Sequence, residues 1–533
     1  MPQSNSVALP SRLPLTSRAE TRDETGLKDA KIVNAYLEYT ETLETKTLAG
    51  PKTVAEVKVY KRPGLLQTGV TQVGNGYGVY NWQGDIYAIF GATMYKNGVA
   101  LSGTLDTTGG VYRFSQSLGA TLRMQFGNGV ASYNYDANVG IVKINPLLTI
   151  TAGSFVVSIV YTILTVGTTN FTLIGAASNT IGIVFTATGV GAGTGTATTP
   201  GNFPATCVKG WAYLDATTYV MDATGSIRGC AIINDTTLWT DLLNRLSAQI
   251  EADAGVALAK QLVYVIALGE WSTEVFYDAI NVTGSPLSPA QNAKLNYGCA
   301  SADSVQEIEG RLIWASSTRA SGVQVILMQG LKEKIVSTKA IDKILSKASM
   351  ANIYSFSFCY EGHSFYGITL VSSNVTLVYD IIDDEWAYWT DTNGNYFPVV
   401  SVTYSTTLGR ILQHATNGKL YLCDRSYTSD DGTMITVDLY LPIFDAGTRR
   451  SKQLNAMEFV GDQTAGSILQ VRHNDFDYQA SKWTNYRKVD LNLRRPRLAN
   501  LGTFSSRGYH FRHQCNTTLR IRAVELQMDI GTL

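Results

Sequence analysis

Short segments rich in β-branched and aromatic residues, each followed by a glycine turn, recur along most of this sequence. From residue 63 to about residue 146 they follow one another at a spacing of roughly eight to twelve residues, as in Tyr77–Trp82 and Asp85–Phe90. The pattern returns after residue 262, for example in Ile353–Tyr360 and Trp386–Thr390. Regularly spaced short strands with glycine turns predict a mainly β fold, as a sandwich, a barrel or a propeller.

Residues 147–200 differ from the sequence on either side. They are almost free of charge and are dominated by Gly, Thr, Ala and branched aliphatic residues, and the earlier pattern resumes at Asn202-Phe203-Pro204. Thr, Val and Ile favour strands, and the glycines mark turns between them. We predict a small inserted β module at residues 147–200; the alternative is a low-complexity linker.

One segment has the spacing of a helix. Leu242, Leu246 and Ile250 recur at intervals typical of an amphipathic helix. The sequence therefore predicts a helical segment over about 237–260, which continues the β region without forming a domain of its own. Residues 1–30 are polar and carry several charges, and this composition predicts a flexible arm.

The charge of the chain is balanced in total but unevenly distributed. The 43 Lys and Arg residues equal the 43 Asp and Glu residues, so there is no global basic signature of a nucleic-acid binder. Residues 481–533 nevertheless carry about +7, which leaves about −7 for the rest. This basic end is predicted to contact an acidic neighbouring subunit, to face DNA or to be solvated surface. The candidate residues are Arg494, Arg495, Arg497, Arg507 and Arg512.

The sequence lacks the motifs of common catalytic and ligand sites. The six cysteines form no CxxC pair, the five histidines have no metal-ligand spacing, and neither a phosphate-binding loop nor a nucleophile elbow occurs. The segment most similar to the Asp-box turn of propeller glycosidases is Ser429–Thr433, where the glycine comes one residue early and no tryptophan follows. We therefore expect no catalysis, no cofactor and no metal. No signal peptide or membrane-spanning run is evident, so synthesis in a cytoplasm without membrane insertion is expected.

Several phrases occur in an order that is found in one protein family. They are KVYKRPGL (Lys58–Leu65), GEWSTEVFYDA (Gly269–Ala279), STKAIDKILSK (Ser337–Lys347), VTLVYDIIDDEWAYW (Val375–Trp389) and TTLRIRAVELQM (Thr517–Met528). Together they resemble the packaged-DNA stabilisation proteins of short-tailed bacteriophages, also called tail hub or nozzle proteins. The phrases are structural rather than catalytic, and the insertion at residues 147–200 departs from the family's core pattern.

The resemblance implies a β-propeller joined to a β platform that both chain ends build. Residues 1–62 would be an N-terminal arm and part of the platform, residues 63–446 the propeller, and residues 447–533 the basic remainder of the platform. It also implies a hexameric ring in the virion tail, below the portal and adaptor, which continues the DNA channel, retains packaged DNA and permits its ejection. The implied partners are further copies of the chain, portal-side tail proteins, fibres or spikes, a needle, and viral DNA that passes without sequence-specific binding.

Two other functions remain open from the sequence. A receptor-binding or tail-fibre protein with a propeller head would use exposed Tyr and Trp to stack on sugars. A propeller enzyme that degrades glycans would need a pair of catalytic carboxylates. Fibre proteins are usually trimers, so the oligomeric state separates the first of these from a ring-forming hub.

Overall fold

The computed structural model describes residues 11–15, 30–43, 53–119, 121–231, 236–237, 239–291, 293–320 and 322–531. Most of the regular structure in this part of the chain is β strand. The chain forms two compact units, and each is described by itself. Unit 1 contains residues 1–90, 323–327 and 334–533, and unit 2 contains residues 91–322 and 328–333.

The largest sheet of unit 1 has nine strands. Four of them are consecutive and antiparallel, and the other five come from both ends of the chain. In spatial order the strands are Ile353–Tyr360, His363–Leu370, Val375–Asp380, Glu385–Trp389, Lys31–Val33, Val437–Tyr440, Gly508–His513, Ile468–Asn474 and Arg487–Asp490. The first hairpin turns at Glu361 and Gly362, which both have positive φ angles (47° and 90°). Such two-residue turns match the twist of the strands that they join, and glycine adopts this backbone conformation without strain.

A second sheet of unit 1, called the platform sheet here, contains strands from both chain ends. Its main path is Ala35–Leu43, Thr53–Lys61, Arg520–Ile530, Lys452–Gly461 and Arg497–Ala499, and Ser11–Arg12 and Thr503–Phe504 pair at its side. The inward residues of these strands, such as Leu37, Val59 and Leu526, are buried in the main hydrophobic core. The prediction that the two chain ends share a β platform is confirmed.

A third sheet of unit 1, called the closing sheet here, joins an early strand to a late part of the chain. Its strands are Val399–Ser405, Gly409–His414, Leu420–Asp424 and Gly64–Thr68, followed by the short Ser429–Asp430 and Thr433–Met434. Gly64–Thr68 pairs antiparallel with Leu420–Asp424, so that Leu66 lies opposite Leu422. A Cβ atom on Gly64 would collide with the carbonyl oxygen of Tyr427, so the strand can begin here only with glycine.

The remaining regular elements of unit 1 are a hairpin and short helices. They are Gly76–Trp82 with Asp85–Phe90, the α-helix Lys339–Lys347, and the 3-10 segments Val371–Ser373 and Ala480–Lys482; the strands Val323–Gln329 and Lys332–Ile335 are divided between the units. Thr338 caps the α-helix by accepting a hydrogen bond from the backbone N–H of Ile341. No helix of the described residues is both long enough and apolar enough to span a bilayer.

Unit 2 consists mainly of consecutive antiparallel strands. They are Thr93–Lys96, Val99–Ala100, Arg113–Leu118, Leu122–Gly127, Ser132–Asp136, Gly140–Lys143, Leu147–Thr151, Val160–Thr165, Val184–Thr186, Thr196–Pro200, Ala212–Leu214, Thr217–Met221, Ser226–Gly229, Arg245–Ser247, Gly255–Gln261, Tyr264–Gly269, Thr273–Asp278, Leu287–Pro289, Gln306–Ile308 and Arg311–Ser317, with 3-10 segments at Phe171–Ile174 and Ala302–Ser304. The typical sheet has four strands in chain order, because short turns connect neighbours.

Residues 147–200 form a four-stranded sheet with a separate core. The first and last strands of the segment pair directly, with Leu147 opposite Pro200, so the chain leaves the module beside the point where it enters. The core contains buried Phe155, Tyr161, Phe171 and Phe185, all from this segment. The predicted mainly β fold with a small inserted β module is therefore confirmed.

The predicted helix over about 237–260 is wrong. Its described residues form a turn, the strand Arg245–Ser247, a bend and the strand Gly255–Gln261. Leu243 and Ile250, which a helix would have placed on its buried face, are exposed. The helical spacing arose because apolar residues of two short strands and the intervening loops happen to recur at three- and four-residue intervals.

Candidate interaction surface

Three of the five predicted arginines lie on the surface of the platform sheet region. Arg494 and Arg495 follow the strand Arg487–Asp490, and Arg497 begins the strand Arg497–Ala499, opposite Glu458. All three are exposed, and we call them the arginine strip. Proline 496 lies between them and is buried, which fixes the backbone from which the three side chains extend.

Arg495 is partly neutralised by its neighbour. Its Nε and one terminal nitrogen donate to the two carboxylate oxygens of Glu458 at 2.8 and 2.6 Å. This two-fold hydrogen bond lowers the pKa of Glu458 below its ordinary value. Within the described part of the chain, Arg494 and Arg497 form no ion pair. The strip therefore keeps an excess of positive charge.

A surface cavity of about 210 Å³ lies beside the arginine strip. Arg494 lines it together with Asp462, Gln463 and Arg520. Arg520 is held by Asp462, to which its Nε donates at 2.9 Å. Arg494 is thus the wall residue whose guanidinium is available to a carboxylate of a neighbouring protein.

Arg507 does not belong to this surface, so its prediction as an exposed interface or DNA-facing residue is wrong. Only 2% of its side chain is exposed, and Asp475 binds it at 2.6 and 2.9 Å. The same guanidinium also donates to the carbonyl oxygens of Leu501 and Thr503. Its donors therefore link Asp475 to the segment that contains Leu501 and Thr503, which is a structural role.

Arg512 is also occupied, in a half-buried network on the nine-stranded sheet. It donates to Asp438 at 2.7 and 3.2 Å, and Asp438 also accepts from Nε2 of His510 at 2.7 Å. The Nε of Arg472 donates to Nδ1 of His510 at 2.8 Å, which fixes the neutral tautomer of the ring. Burial lowers the pKa of His510, although Asp438 opposes this effect. Arg512 therefore contributes to sheet packing more than to a charged surface.

The fold also brings together a histidine and two carboxylates that the sequence analysis did not connect. His363 Nδ1 lies 2.6 Å from Asp380 and 3.2 Å from Asp383, at one end of the hairpin strands His363–Leu370 and Val375–Asp380. The three side chains are close enough to share a metal ion. The 2.6 Å distance, however, is typical of a charge-assisted hydrogen bond, so the carboxylates serve here as counterions of the ring. The hairpin register alone could have revealed this grouping, because His363 and Asp380 end paired strands.

The charge state of His363 makes stability depend on pH. Burial by itself would lower its pKa, but the hydrogen bonds and charges of Asp380 and Asp383 outweigh it and raise the pKa to about 9. Because the folded-state pKa of His363 lies above the ordinary 6.5, its ion pairs stabilise the fold fully below pH 6.5. This stabilisation is lost as the pH rises to 9. We expect His363→Gln to cost about 3 kcal/mol more unfolding free energy near pH 6 than near pH 9.5, in addition to a pH-independent loss of ring packing on Tyr36 and Phe365.

Urea unfolding of both proteins across this range measures the effect. His414→Gln is the matched control, because burial lowers the pKa of His414 to about 4 and the ring stays neutral throughout. A cost of His363→Gln that does not change with pH would contradict the ion-pair interpretation.

The comparisons with known proteins identify the family. The model described as "Bacteriophage P22 Gp10, beta-propeller" matches residues 31–394, which is more than half of the chain. The chain belongs to this phage stabilisation family. It is accordingly a bacteriophage structural protein with a β-propeller, as the resemblance implied, and a virion-associated one that contacts other virion proteins. The match begins at the strand Lys31–Val33, runs through the inserted module and ends after Glu385–Trp389.

The other two comparisons add little. A search of the curated proteins found no match. Among solved structures, the computationally designed Ika8 protein is 11% identical with a TM-score of 0.33, and covers 67% of this chain and 98% of its own. A BBS1N chain in complex with ARL6DN is 8% identical with a TM-score of 0.35, and covers 68% of this chain and 98% of its own. A YCF48 chain bound to D1 peptide is 10% identical with a TM-score of 0.34, and covers 68% and 95%.

Proposed function

We propose that this protein is the nozzle or hub of a short phage tail, a hexameric ring below portal and adaptor that continues the DNA channel. It would retain packaged DNA and let it pass during ejection. The observation that carries the proposal is the family match over residues 31–394, since the family is one of phage stabilisation proteins. The phrase Thr517–Met528, which lies outside this range and follows in the family's order, supports it.

The placement of the arginines agrees with a conduit that does not grip DNA. A wall that bound many phosphates would release counterions, hold DNA tightly and slow its passage. Arg507 and Arg512, two of the five candidates, are bound to Asp475 and Asp438 inside the protein. The arginine strip, next to a small cavity, suits a carboxylate-bearing protein neighbour better than a long phosphate backbone.

We also propose that the protein acts without catalysing a reaction. The histidine that meets two carboxylates is engaged by them, and the burial of Cys207, Cys299 and Cys423 raises the pKa of each thiol to about 12. A thiol with so high a pKa is a poor nucleophile at neutral pH. A halo assay on host polysaccharide tests the glycan-degrading alternative, and clear depolymerisation would contradict this part of the proposal.

Electron microscopy of the intact particle tests the nozzle assignment. We expect density for the protein on the tail axis with six-fold symmetry. A trimer, or a position at the outer tip of the tail, would instead favour the receptor-binding or fibre alternative.

Charge reversal of the arginine strip is expected to block tail assembly. The Arg494→Glu and Arg497→Glu double variant replaces two guanidinium groups, which form no ion pair within the described chain, with carboxylates. These carboxylates would repel an acidic neighbouring protein. The yield of infectious particles should fall by about tenfold or more, because such repulsion costs more than 1.4 kcal/mol. Particle titre and tail counts in micrographs measure the loss. The purified chain should remain folded, with an unfolding midpoint lowered only slightly, because a carboxylate at position 497 would lie opposite Glu458.

The matched control is Arg449→Glu with Arg450→Glu, two exposed arginines in another loop of unit 1. The control should leave titre and folding unchanged. Equal titres for the strip variant and the wild-type protein would show that the strip is only solvated surface.

A further inference from the structure

The nine-stranded sheet of unit 1 presents on its outer face a guanidinium that is fixed in position. Val471 is buried in the main core, so its neighbour Arg472 points to the opposite side of the sheet. The Cζ atom of Arg472 lies 4.8 Å from the ring centroid of Trp483 and 4.6 Å from that of Tyr486. Its Nε donates to Nδ1 of His510 at 2.8 Å. These three contacts hold the side chain in one orientation.

The edge of the Arg472 guanidinium is open to an external acceptor. Only its Nε donates within the described part of the chain, so the two terminal nitrogens have no protein acceptor there. Arg507 differs, because its terminal nitrogens donate to Asp475 and to two carbonyl oxygens. A contact with aromatic rings uses the flat faces of a guanidinium and leaves the N–H groups at its edge unbonded. Packing on the rings therefore does not account for the donors of Arg472.

The charge around Arg472 favours an anionic group. Lys488 lies opposite Gln470, two residues before Arg472, so it projects from the same face, with its Cα about 7 to 8 Å from that of Arg472. Lys488 is exposed and forms no ion pair within the described chain. Arg512 is a further cation of this face, but Asp438 neutralises it. Two positive charges on this face, those of Arg472 and Lys488, therefore lack an ion pair.

We propose that Arg472 and Lys488 bind a carboxylate-bearing segment of another protein, with one carboxylate on the edge of the Arg472 guanidinium. A carboxylate accepts both parallel N–H groups of an arginine, and such paired, charge-assisted bonds are strong. Arg, Trp and Tyr are also the residue types most enriched among those that dominate binding at protein interfaces. Because the guanidinium is already fixed, binding loses little side-chain entropy. This contact involves other residues than the arginine strip and does not depend on the hub assignment.

Nucleic acid fits this face less well than an acidic protein segment. Proteins that bind a nucleic-acid backbone neutralise many phosphates, and the affinity rises with their number. Arg472 and Lys488 would neutralise only two phosphates. A single carboxylate, in contrast, is fully bonded by the guanidinium of Arg472 and has Lys488 beside it. The small extent of the positive charge thus favours an acidic protein segment as the partner.

Carbodiimide coupling of the full chain to a short peptide of glutamates, blocked at both ends, tests the contact. The reagent joins a carboxylate to an amine that lies against it, so Lys488 reports on this face, whereas the arginine strip does not react. Mass spectrometry measures the coupling of Lys488 relative to that of Lys143, an exposed lysine of unit 2. At a peptide concentration below saturation, Arg472→Met is expected to lower this ratio by about tenfold, because the paired hydrogen bonds are lost.

Arg425→Met is the matched control. The Cζ atom of Arg425 also lies over a ring, 4.8 Å from the centroid of Tyr60, but its guanidinium pairs with Glu361 at 3.6 Å. Its replacement removes the same charge and the same kind of ring contact from another part of unit 1. The coupling of Lys488 should not change in this variant.

A second variant, Arg472→Lys, separates the paired hydrogen bonds from charge alone. Lysine keeps the positive charge over the rings but has no pair of parallel N–H groups, so the coupling of Lys488 should again fall severalfold. Folding should persist in both variants of Arg472, because the hydroxyl of Tyr486 still lies 3.2 Å from Nδ1 of His510. The midpoint of urea unfolding checks this, and if methionine prevents folding, the lysine variant alone carries the test.

Equal coupling of Lys488 in the Arg472→Met and Arg425→Met proteins would overturn the proposal, as would undiminished coupling in the Arg472→Lys protein. Competition with an oligonucleotide of thymidines tests the nucleic-acid alternative. We expect it to leave the coupling of Lys488 unchanged when its phosphates are no more concentrated than the glutamates of the peptide. Loss of coupling under that condition would show that nucleic acid is the better ligand, and the acidic segment would be rejected.

Discussion

Replacing Arg62 with methionine is expected to lower the free energy of unfolding by about 3 to 5 kcal/mol. The Arg62 side chain is completely buried and donates to Asp430 at 3.0 and 2.5 Å. It also donates to Asn34 and to the carbonyl oxygens of Pro63 and Thr390. Methionine fills a similar volume but leaves the mostly buried Asp430 without its counterion. Denaturant unfolding followed by tryptophan fluorescence measures the loss.

Arg495→Met is the matched control for this substitution. Arg495 forms an equally well-aligned pair with Glu458, but 62% of its side chain is exposed. Exposed pairs contribute far less than buried ones, because water screens the charges and solvates each partner alone. Similar losses for both variants would show that burial does not set the importance of Arg62.

Replacing Phe171 with alanine is expected to destabilise the inserted module by about 3 to 5 kcal/mol. The ring is fully buried and meets Phe155 and Phe185, with centroid distances of 5.8 and 5.5 Å. Because the core of the module contains only its own residues, the loss should be local. Hydrogen exchange should therefore increase in peptides from residues 147–200 and remain unchanged in the platform sheet.

Leu173→Ala, two residues away, is the control for Phe171→Ala. Leu173 is 78% exposed, and removal of an exposed side chain changes stability by about 0.5 kcal/mol or less. Faster exchange throughout unit 2 in the Phe171→Ala protein would mean that the module does not fold as a separate unit.

The strands of this protein could be predicted because their signals are local. Alternating burial in Ile353–Tyr360 and the glycine turn at Gly362 are both visible in the sequence. The inserted module was also predictable, since its composition changes abruptly at both ends. The pairing of Gly64–Thr68 with Leu420–Asp424 was not, because local sequence carries no information about which distant strand completes a sheet.

The errors arose where a pattern has more than one physical origin. The spacing of Leu242, Leu246 and Ile250 fits a helix, but these residues lie in a turn, a short strand and a bend. The α-helix Lys339–Lys347 was missed, although Thr338 as a cap and buried Ile341 and Leu345 four residues apart are helix signals. The positive charge of the C-terminal segment likewise did not show which arginines are exposed. Arg507 is buried beside Asp475, which lies 32 residues away in the sequence.

The pairing that completes the closing sheet delays the folding of an early part of the chain during synthesis. Arg62 and the strand Gly64–Thr68 leave the ribosome long before Asp430, which lies 368 residues after Arg62. At about 5 to 20 residues per second, this early segment waits roughly 20 to 70 s for its partners. During that interval its strand edge is unpaired and the Arg62 guanidinium lacks its carboxylate. The nascent chain therefore carries this unpaired edge for longer than the synthesis of a domain of about 100 to 150 residues takes.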